Sequence, residues 1–600
     1  MKIEEDDPIV KQLVHNGVLV PELPSPHGLV IMVRGESVKL NPKQEEMALA
    51  WAKKQGTPYV EDPVFVRNFL RDFSEAMGVT PALSVEEVDF APVVDVVLVE
   101  REAKTRLTKE ERKAQAAARK AQREKLRETY GHATVDGERV ELANYTVEPS
   151  GIFMGRGKHP LRGQWKEGAT QRDIILNLSP DAPRPPGDWQ EIIWDPDALW
   201  VARWKDRLSG KMKYVWLSDT APVKQEREAQ KFDKAAELHA ELEWVRAHIE
   251  QGLRDPDPKR RMIATACYLI DALCLRVGDE KDPDEADTVG ATTLRPEHVT
   301  LHPDGVAEFK FYGKDFVRWH KKLELPEVVR HNLAELARAA RPPNSANRSN
   351  KKKHPTRDKP QLFPDIGSRD VNAYLSEILP GLTAKVFRTH HATEIVGSSL
   401  KAANVKASDP EYGKRKAATL ANLEAAILCN HTKTASPNWP ARREKFKERQ
   451  RKAEERVQRY RLQVKEHTEA LKTLRQEARE KKASASAAKR KRLKASYEKK
   501  IGRAKRRIET AKERLQKAKD AGSKLQAQMA IATQTRTWNL GTSLKSYIDP
   551  RVYYQWGQQV EYDVLERFYP KKLRQKFAWV EECSRDTGDG LESKEKEPPF

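Results

Sequence analysis

Residues 457–478 read VQRYRLQVKEHTEALKTLRQEA, and residues 497–518 read YEKKIGRAKRRIETAKERLQKA. In the first run Val457, Tyr460, Val464, His467, Leu471, Leu474 and Ala478 step by threes and fours. Tyr497, Ile501, Ala504, Ile508, Ala511, Leu515 and Ala518 repeat the pattern in the second. Such spacing draws a narrow apolar stripe along one helix face, the seam of a coiled coil. The surrounding 441–530 stretch has no proline, two glycines (Gly502, Gly522), and is rich in Ala, Lys, Arg, Glu and Gln, all strong helix formers. The stripe lapses at Ala483-Ser-Ala-Ser-Ala-Ala488. We therefore expect two antiparallel helices closed as a hairpin, each on the order of 60 Å long at 1.5 Å per residue. A single long, partly disordered basic helix remains the alternative.

Outward from this stretch, charge is the next signal. The chain has 600 residues, 110 Lys and Arg against 89 Asp and Glu, and a net charge of +21. Residues 441–530 alone hold 32 basic and 12 acidic side chains, leaving 78 and 77 for the rest. Almost all of the surplus, which favours a polyanionic partner, thus sits in 90 residues. The length suggests several domains, and 38% hydrophobic residues suffice for real cores. No run approaches the roughly 18 apolar residues of a membrane helix. The N-terminal MKIEEDDPIV lacks the layout of a secretory signal. Four cysteines (Cys267, Cys274, Cys429, Cys583) with no C-x-x-C pair argue against a zinc site or a disulfide framework and for a reducing intracellular compartment.

The first 217 residues read as mixed α/β. Gly28 to Leu40 alternates around a turn, Gln44 to Lys54 reads as a helix, and Asp95-Val-Val-Leu-Val99 is apolar and β-branched. Thr108 and Glu111 form a T-x-x-E capping box at the start of a basic helical run over about 109–128. Short strands are expected at 173–177, 190–194 and 213–217. Residues 224–430 read as mainly helical, broken by a β-hairpin over Phe309 to Trp319 and by a Pro- and Lys-rich loop over 341–360. The last 70 residues return to a globular composition. Neither a Walker-type phosphate loop nor an H-E-x-x-H motif is present.

A set of short segments carries the chemistry. They are Leu275-Arg-Val-Gly-Asp-Glu-Lys281, Ala286-Asp-Thr-Val-Gly290, Phe311-Tyr-Gly-Lys-Asp315, Gly381-Leu-Thr-Ala-Lys-Val-Phe-Arg-Thr389, Ile427-Leu-Cys-Asn-His431 and Ser546-Tyr-Ile-Asp-Pro-Arg551. Supporting them are Gly155-Arg-Gly-Lys-His-Pro160 and Gln575-Lys-Phe-Ala-Trp579. Together, and in this order, they resemble the eukaryote-type DNA topoisomerases IB from about residue 15 to about 583. Eight motifs in register make chance implausible.

The resemblance implies an α+β multidomain clamp around DNA. Its parts would be a mixed α/β upper cap (1–217), a mainly helical catalytic lobe of the tyrosine recombinase/topoisomerase IB type (218–440), an antiparallel coiled-coil linker (441–530) and a small helical C-terminal domain (531–600). It implies Arg276, Lys314, Arg388, His431 and Tyr547 as the catalytic set. Tyr547 would be the nucleophile, giving a 3′-phosphotyrosine. Arg276, Arg388 and His431 would hold the non-bridging phosphate oxygens, for which guanidinium offers a matching fork. Lys314 would be general acid to the departing 5′ oxygen. Arg156, Lys213, Tyr214, Thr288 and Asp315 would lie near the DNA. The implied partner is duplex DNA, the implied state a monomer with no membrane attachment, and the implied location a DNA-associated one inside the cell. No metal site and no required cofactor follow: the reaction would be ATP-independent, with Mg2+ at most stimulatory.

Taken singly, these residues have plainer readings. Arg276 and Arg388 suit a helix surface, Lys314 an exposed turn, His431 a core or cap, and Tyr547 packing. His390 and His391, side by side, do not face one ligand point on a helix. Tyrosine recombinases share the fold and a similar residue set, but typically carry His where this chain has Lys385, and their nucleophile follows the last active-site His closely. Here Tyr547 lies 116 positions after His431. A non-catalytic architectural DNA-binding protein is the other alternative. Two departures from the family stand out. Ser546 replaces its usual Asn, where camptothecin-type poisons bind, and Asp279 replaces its Asn in the R-x-G-N-E-K motif. The match starts almost at Met1, so a compact member without the long charged N-terminal domain is expected.

Overall fold

The computed structural model describes residues 8–22, 24–279, 288–340 and 360–581. The expected 341–360 loop, apart from Pro360, and part of the two motifs spanning 275–290 lie outside them. The described residues divide into two compact units, one running to residue 387 with 575–581, the other comprising 388–574.

In the first unit the alternation over 28–40 becomes strands Val30–Val33 and Glu36–Lys39. Arg34 and Gly35 between them both have positive φ, 51° and 83°, as a tight hairpin turn of matching twist requires. Ile31 and Val33 meet Trp51, Phe65, Phe69 and Phe73 in one core. These aromatics come from helices Pro42–Ala52 and Pro63–Met77. The apolar, β-branched run Asp95–Val99 lies inside helix Ala91–Arg106. Val93 and Val97 bury one face at i, i+4 while Val99 is exposed, so packing overrides the β preference of branched side chains. Helix Lys109–Tyr130 has the expected Thr108/Glu111 capping box and buries no residue.

A four-stranded sheet follows, in the order Glu191–Ile193, Ile174–Asn177, Trp200–Lys205, Met212–Trp216. Its buried face carries Ile174, Leu176, Val201 and Val215. Beneath it His15 is buried, its Nε2 2.9 Å from the Asn177 carbonyl and its Nδ1 3.0 Å from the Gly17 amide. The amide must donate, so Nδ1 accepts and Nε2 carries the proton. Burial holds this imidazole neutral and pushes its pKa down to about 4.

The rest of the first unit packs helices, among them Pro222–Ala240, Pro258–Leu273, Glu327–Ala339 and Ser368–Ile378, around the three-stranded sheet Val299–Leu301, Val306–Gly313, Val317–Glu324. Ala307, Phe309, Phe311 and Trp319 turn inward to meet Ile270, Leu273, Leu333 and Phe363. Phe311 and Trp319 are register partners and stack at 5.8 Å. The segment from Gln575 packs onto helix Pro222–Ala240. Phe577 and Trp579 flank Phe232, and Lys576 bridges to Glu228 at 2.9 Å.

The second unit is helical. Helix Ala384–Ala402 enters it at residue 388, followed by Glu411–Leu428, two long arms Trp439–Ala483 and Ala487–Gln534, and shorter helices Leu540–Ser546, Pro550–Gln559 and Val564–Arg567. The arms are 45 and 48 residues long and lie along each other. Residues 470–477 and 500–507 line one small hollow between them, and the three-residue link at 484–486 leaves them an antiparallel course. Leu471, Ala478, Tyr497, Ile508, Ala511 and Ala518 are buried on the seam. The other eight stripe residues are all half-buried, whereas Leu462, off the stripe, is 57% exposed. The reversal falls at Ser484–Ser486, where Arg490 donates to the Ala485 carbonyl at 2.8 Å. Exposed pairs such as Lys452–Glu448 and Arg451–Glu455 add only about 0.3–0.5 kcal/mol each.

Candidate active site

Three of the five expected catalytic residues come together in the second unit. Helix Ala384–Ala402 carries Arg388, which is 2% exposed and therefore no surface arginine. Its guanidinium donates to the Cys429 carbonyl at 3.1 Å, in the turn that ends helix Glu411–Leu428. Asn430, in that turn, has φ 54° and swings the chain so that His431 faces Arg388, Nη2 to Nε2 3.3 Å. The Arg388 guanidinium carbon lies 4.9 Å from the centre of the Tyr547 ring. The rings of His431 and Tyr547 are 5.3 Å apart at 31°. Tyr547 is the residue closing helix Leu540–Ser546 and is 4% exposed.

The hydrogen-bond network assigns the histidine tautomer. Arg388 can only donate, so Nε2 of His431 accepts and Nδ1 carries the proton. Nδ1 then donates to Ser543 Oγ at 2.8 Å, and Ser543 is wholly buried. Main-chain bonds fix the loop around this pair. Asn539 donates to the His431 carbonyl at 2.7 Å and Lys433 to the Thr537 carbonyl at 2.8 Å. On the other side of Tyr547, Thr393 donates to the Tyr547 carbonyl at 3.4 Å and accepts from the Asp549 amide at 3.1 Å. Asp549, buried, caps helix Pro550–Gln559 and holds Arg551 through both carboxylate oxygens.

Arg276 and Lys314 belong to the first unit. Arg276 follows the left-handed Cys274 that ends helix Pro258–Leu273 and is half-buried. Its carbonyl accepts from Ala291, while Val289 donates to the Tyr312 carbonyl, both at 2.8 Å. The short segment 289–291 thus links the main chain at Arg276 to the strand leading to Lys314. Glycines make the crossing possible: a Cβ on Gly290 would stand 2.5 Å from the Gly278 backbone. Lys314 is exposed at the tip of the Val306–Gly313/Val317–Glu324 hairpin. Asp315 and Phe316 there have φ of 64° and 60°.

Of the expected DNA-contacting residues, Arg156 and Asp315 form an ion pair. Phe316 sits so close over Gly157 that a Cβ there would overlap the ring at 2.2 Å. Lys213 and Tyr214 are neighbours on one strand and so face opposite sides. Lys213 joins Phe153, His159 and Lys166 around one hollow. Tyr214, exposed, lies instead with Trp200 and Trp216. Thr288 is half-buried beside the 289–291 link. Among the described residues no group of three His, Cys, Asp or Glu side chains gathers as a metal site.

Comparison with known proteins agrees in chain order. Residues 10–217 match the family model of the eukaryotic DNA topoisomerase I DNA binding fragment, and 220–464 that of its catalytic core. Residues 519–587 match the C-terminal topoisomerase domain. The chain is 30% identical over 591 residues to "DNA topoisomerase I, mitochondrial" of Homo sapiens, covering 96% of this chain and 90% of that protein. The chain belongs to the eukaryotic DNA topoisomerase I family. It is 33% identical over 578 residues to "DNA topoisomerase 1 beta" of Arabidopsis thaliana (95% of this chain) and spans 58% of that relative's length. With "DNA topoisomerase 1" of Candidozyma auris it shares 35% over 445 residues, 72% of this chain and 57% of that protein.

Within this topoisomerase I family frame, the structure adds residues that the sequence did not single out. Ser543 and Thr393 are ordinary helix residues by pattern, and only the fold puts one on His431 and the other behind Tyr547. Asp279 makes a local contact. Its carboxylate accepts from the Ser368 amide at 2.8 Å, at the first turn of helix Ser368–Ile378, where a negative charge is favoured.

Proposed function

We propose that the chain is a type IB DNA topoisomerase. It relaxes positive and negative supercoils by nicking one strand through a 3′-phosphotyrosine, letting that strand rotate, and religating it, with no ATP consumed and no metal required. The observation that carries this reading is the juxtaposition of Arg388, His431 and Tyr547, with a guanidinium over the face of the tyrosine ring.

The Tyr547 hydroxyl, releasing its proton to water, bonds to the phosphorus of a phosphodiester, negative charge builds on the non-bridging oxygens, and the bond to the 5′ oxygen breaks. Arg388 donates to one non-bridging oxygen. His431 donates to the same group once Nε2 takes a proton, its Nδ1 being anchored on Ser543. Arg276 supports the second non-bridging oxygen, and Lys314 protonates the leaving 5′ oxygen. Preorganised donors aimed at developing charge are usually the largest single catalytic factor. The covalent ester conserves the bond energy, so religation is the same path reversed.

Duplex DNA is held in a clamp of cap and catalytic lobe, mostly through phosphates, with weak sequence preference and steep salt dependence. The arms act as a coiled-coil linker beside the duplex, and their charge brakes rotation. Relaxation of both supercoil signs in EDTA without ATP tests the reading. Sequence-specific strand exchange would instead favour a recombinase.

A further inference from the structure

At the base of the two arms the second unit holds a half-open cavity of about 1100 Å³. It lies between helix Glu411–Leu428, the 433–436 loop and both arms. Its size suits a small organic ligand, for which sites typically run to about 300–1,000 Å³. The floor is apolar and aromatic, formed by half-buried Trp439 and Ile531 with buried Phe446 and Ala527.

The rim is cationic. Lys433, Lys445, Arg449 and Lys524 all line it, and among the described residues none of the four has a carboxylate within ion-pairing distance. A few arm cations do pair, Lys447, Arg451, Lys452 and Lys472 each with a glutamate three or four positions away. Glu411, the one acidic residue of the lining, is bridged to Arg567 at 3.0 Å. Arg442 stands 5.7 Å from the centre of the Phe446 ring, a further positive charge over the floor.

Like charges gathered round a hollow without counter-charges call for a polyanion. Inorganic phosphates or a sugar–phosphate backbone would answer the rim and leave the aromatic floor bare. A flat heteroaromatic ring on Trp439, with its phosphates at the rim, answers both. We propose that this cavity binds a nucleoside triphosphate as an effector that is not consumed. The 433–436 loop that would touch it begins two residues after His431, and the Lys433–Thr537 and Asn539–His431 main-chain bonds tie that loop to the segment leading to Tyr547.

The test is equilibrium binding of radiolabelled ATP to the full chain, without DNA or divalent metal, so a negative result leaves the topoisomerase reading untouched. We expect saturable one-to-one binding at least about tenfold tighter than that of tripolyphosphate or of adenosine. Trp439→Ala should weaken ATP about tenfold, the size of one ring-stacking contact, without changing tripolyphosphate binding. Trp439→Phe should retain most of the affinity, and Lys524→Glu should weaken both ligands. Equal affinity for ATP and tripolyphosphate, or undiminished ATP binding by Trp439→Ala, would overturn the proposal.

Discussion

The guanidinium of Arg388 lies over the ring of Tyr547, 4.9 Å from its centre, while the same side chain donates to the Cys429 carbonyl and to His431. One buried cation therefore holds the tyrosine, the histidine and the turn between them. Lysine carries the charge but cannot serve these partners with one planar fork. Arg388→Lys is expected to slow single-turnover cleavage about 10²–10³-fold, as loss of one charge-stabilising donor does, with DNA affinity within about threefold of wild type. Cleavage of a suicide oligonucleotide and a parallel binding titration measure the two.

Arg388 fixes the tautomer of His431, and Ser543 accepts from the Nδ1 that then carries the proton. Ser543→Ala removes one neutral hydrogen bond, worth about 1 kcal/mol. Cleavage should fall about fivefold to tenfold, with the midpoint of thermal unfolding nearly unchanged. A loss of stability without a loss of cleavage rate would make Ser543 a packing residue only.

Gly157 lies where the 155–160 loop meets the hairpin tip. Its φ of 58° and the Phe316 ring at 2.2 Å from an added Cβ leave no room for a methyl group. Gly157→Ala should displace the tip bearing Lys314 and cost relaxation activity. Gly137, also at positive φ but with open space around it, is the control: Gly137→Ala bears the backbone strain alone, about 1–3 kcal/mol, and should keep its activity.

His15 makes the first unit acid-sensitive. Its folded pKa, about 4, lies below the ordinary value near 6.5, so the unfolded chain binds the extra proton between these limits. The stability is complete above pH 6.5 and is lost as pH falls toward 4. Between pH 7.5 and 5 the loss should be about 2 kcal/mol, read as a falling urea midpoint. His15→Gln, which cannot titrate, should flatten that slope.

The arms were legible in the sequence because their seam repeats over many turns with nothing to contradict it. The 28–40 hairpin, the Thr108 cap and the 309–319 hairpin were legible from local turn and cap chemistry. Asp95–Val99 reads only as apolar and β-branched, and its helix shows once a partner surface buries Val93 and Val97 four residues apart. Arg388 reads as a surface arginine, since the groups that bury it, Cys429 and His431, lie about 40 residues further on. Ser543 was invisible for the same reason: its only distinguishing feature is a contact 112 residues away.

The measurement that tests the account most directly is relaxation of positively and negatively supercoiled plasmid in EDTA without ATP, with the covalent DNA–peptide adduct mapped by mass spectrometry. The account predicts that wild type relaxes both signs and leaves the 3′ phosphate on Tyr547. Tyr547→Phe should bind DNA and do neither. Relaxation by Tyr547→Phe, or an adduct on any other residue, would contradict it.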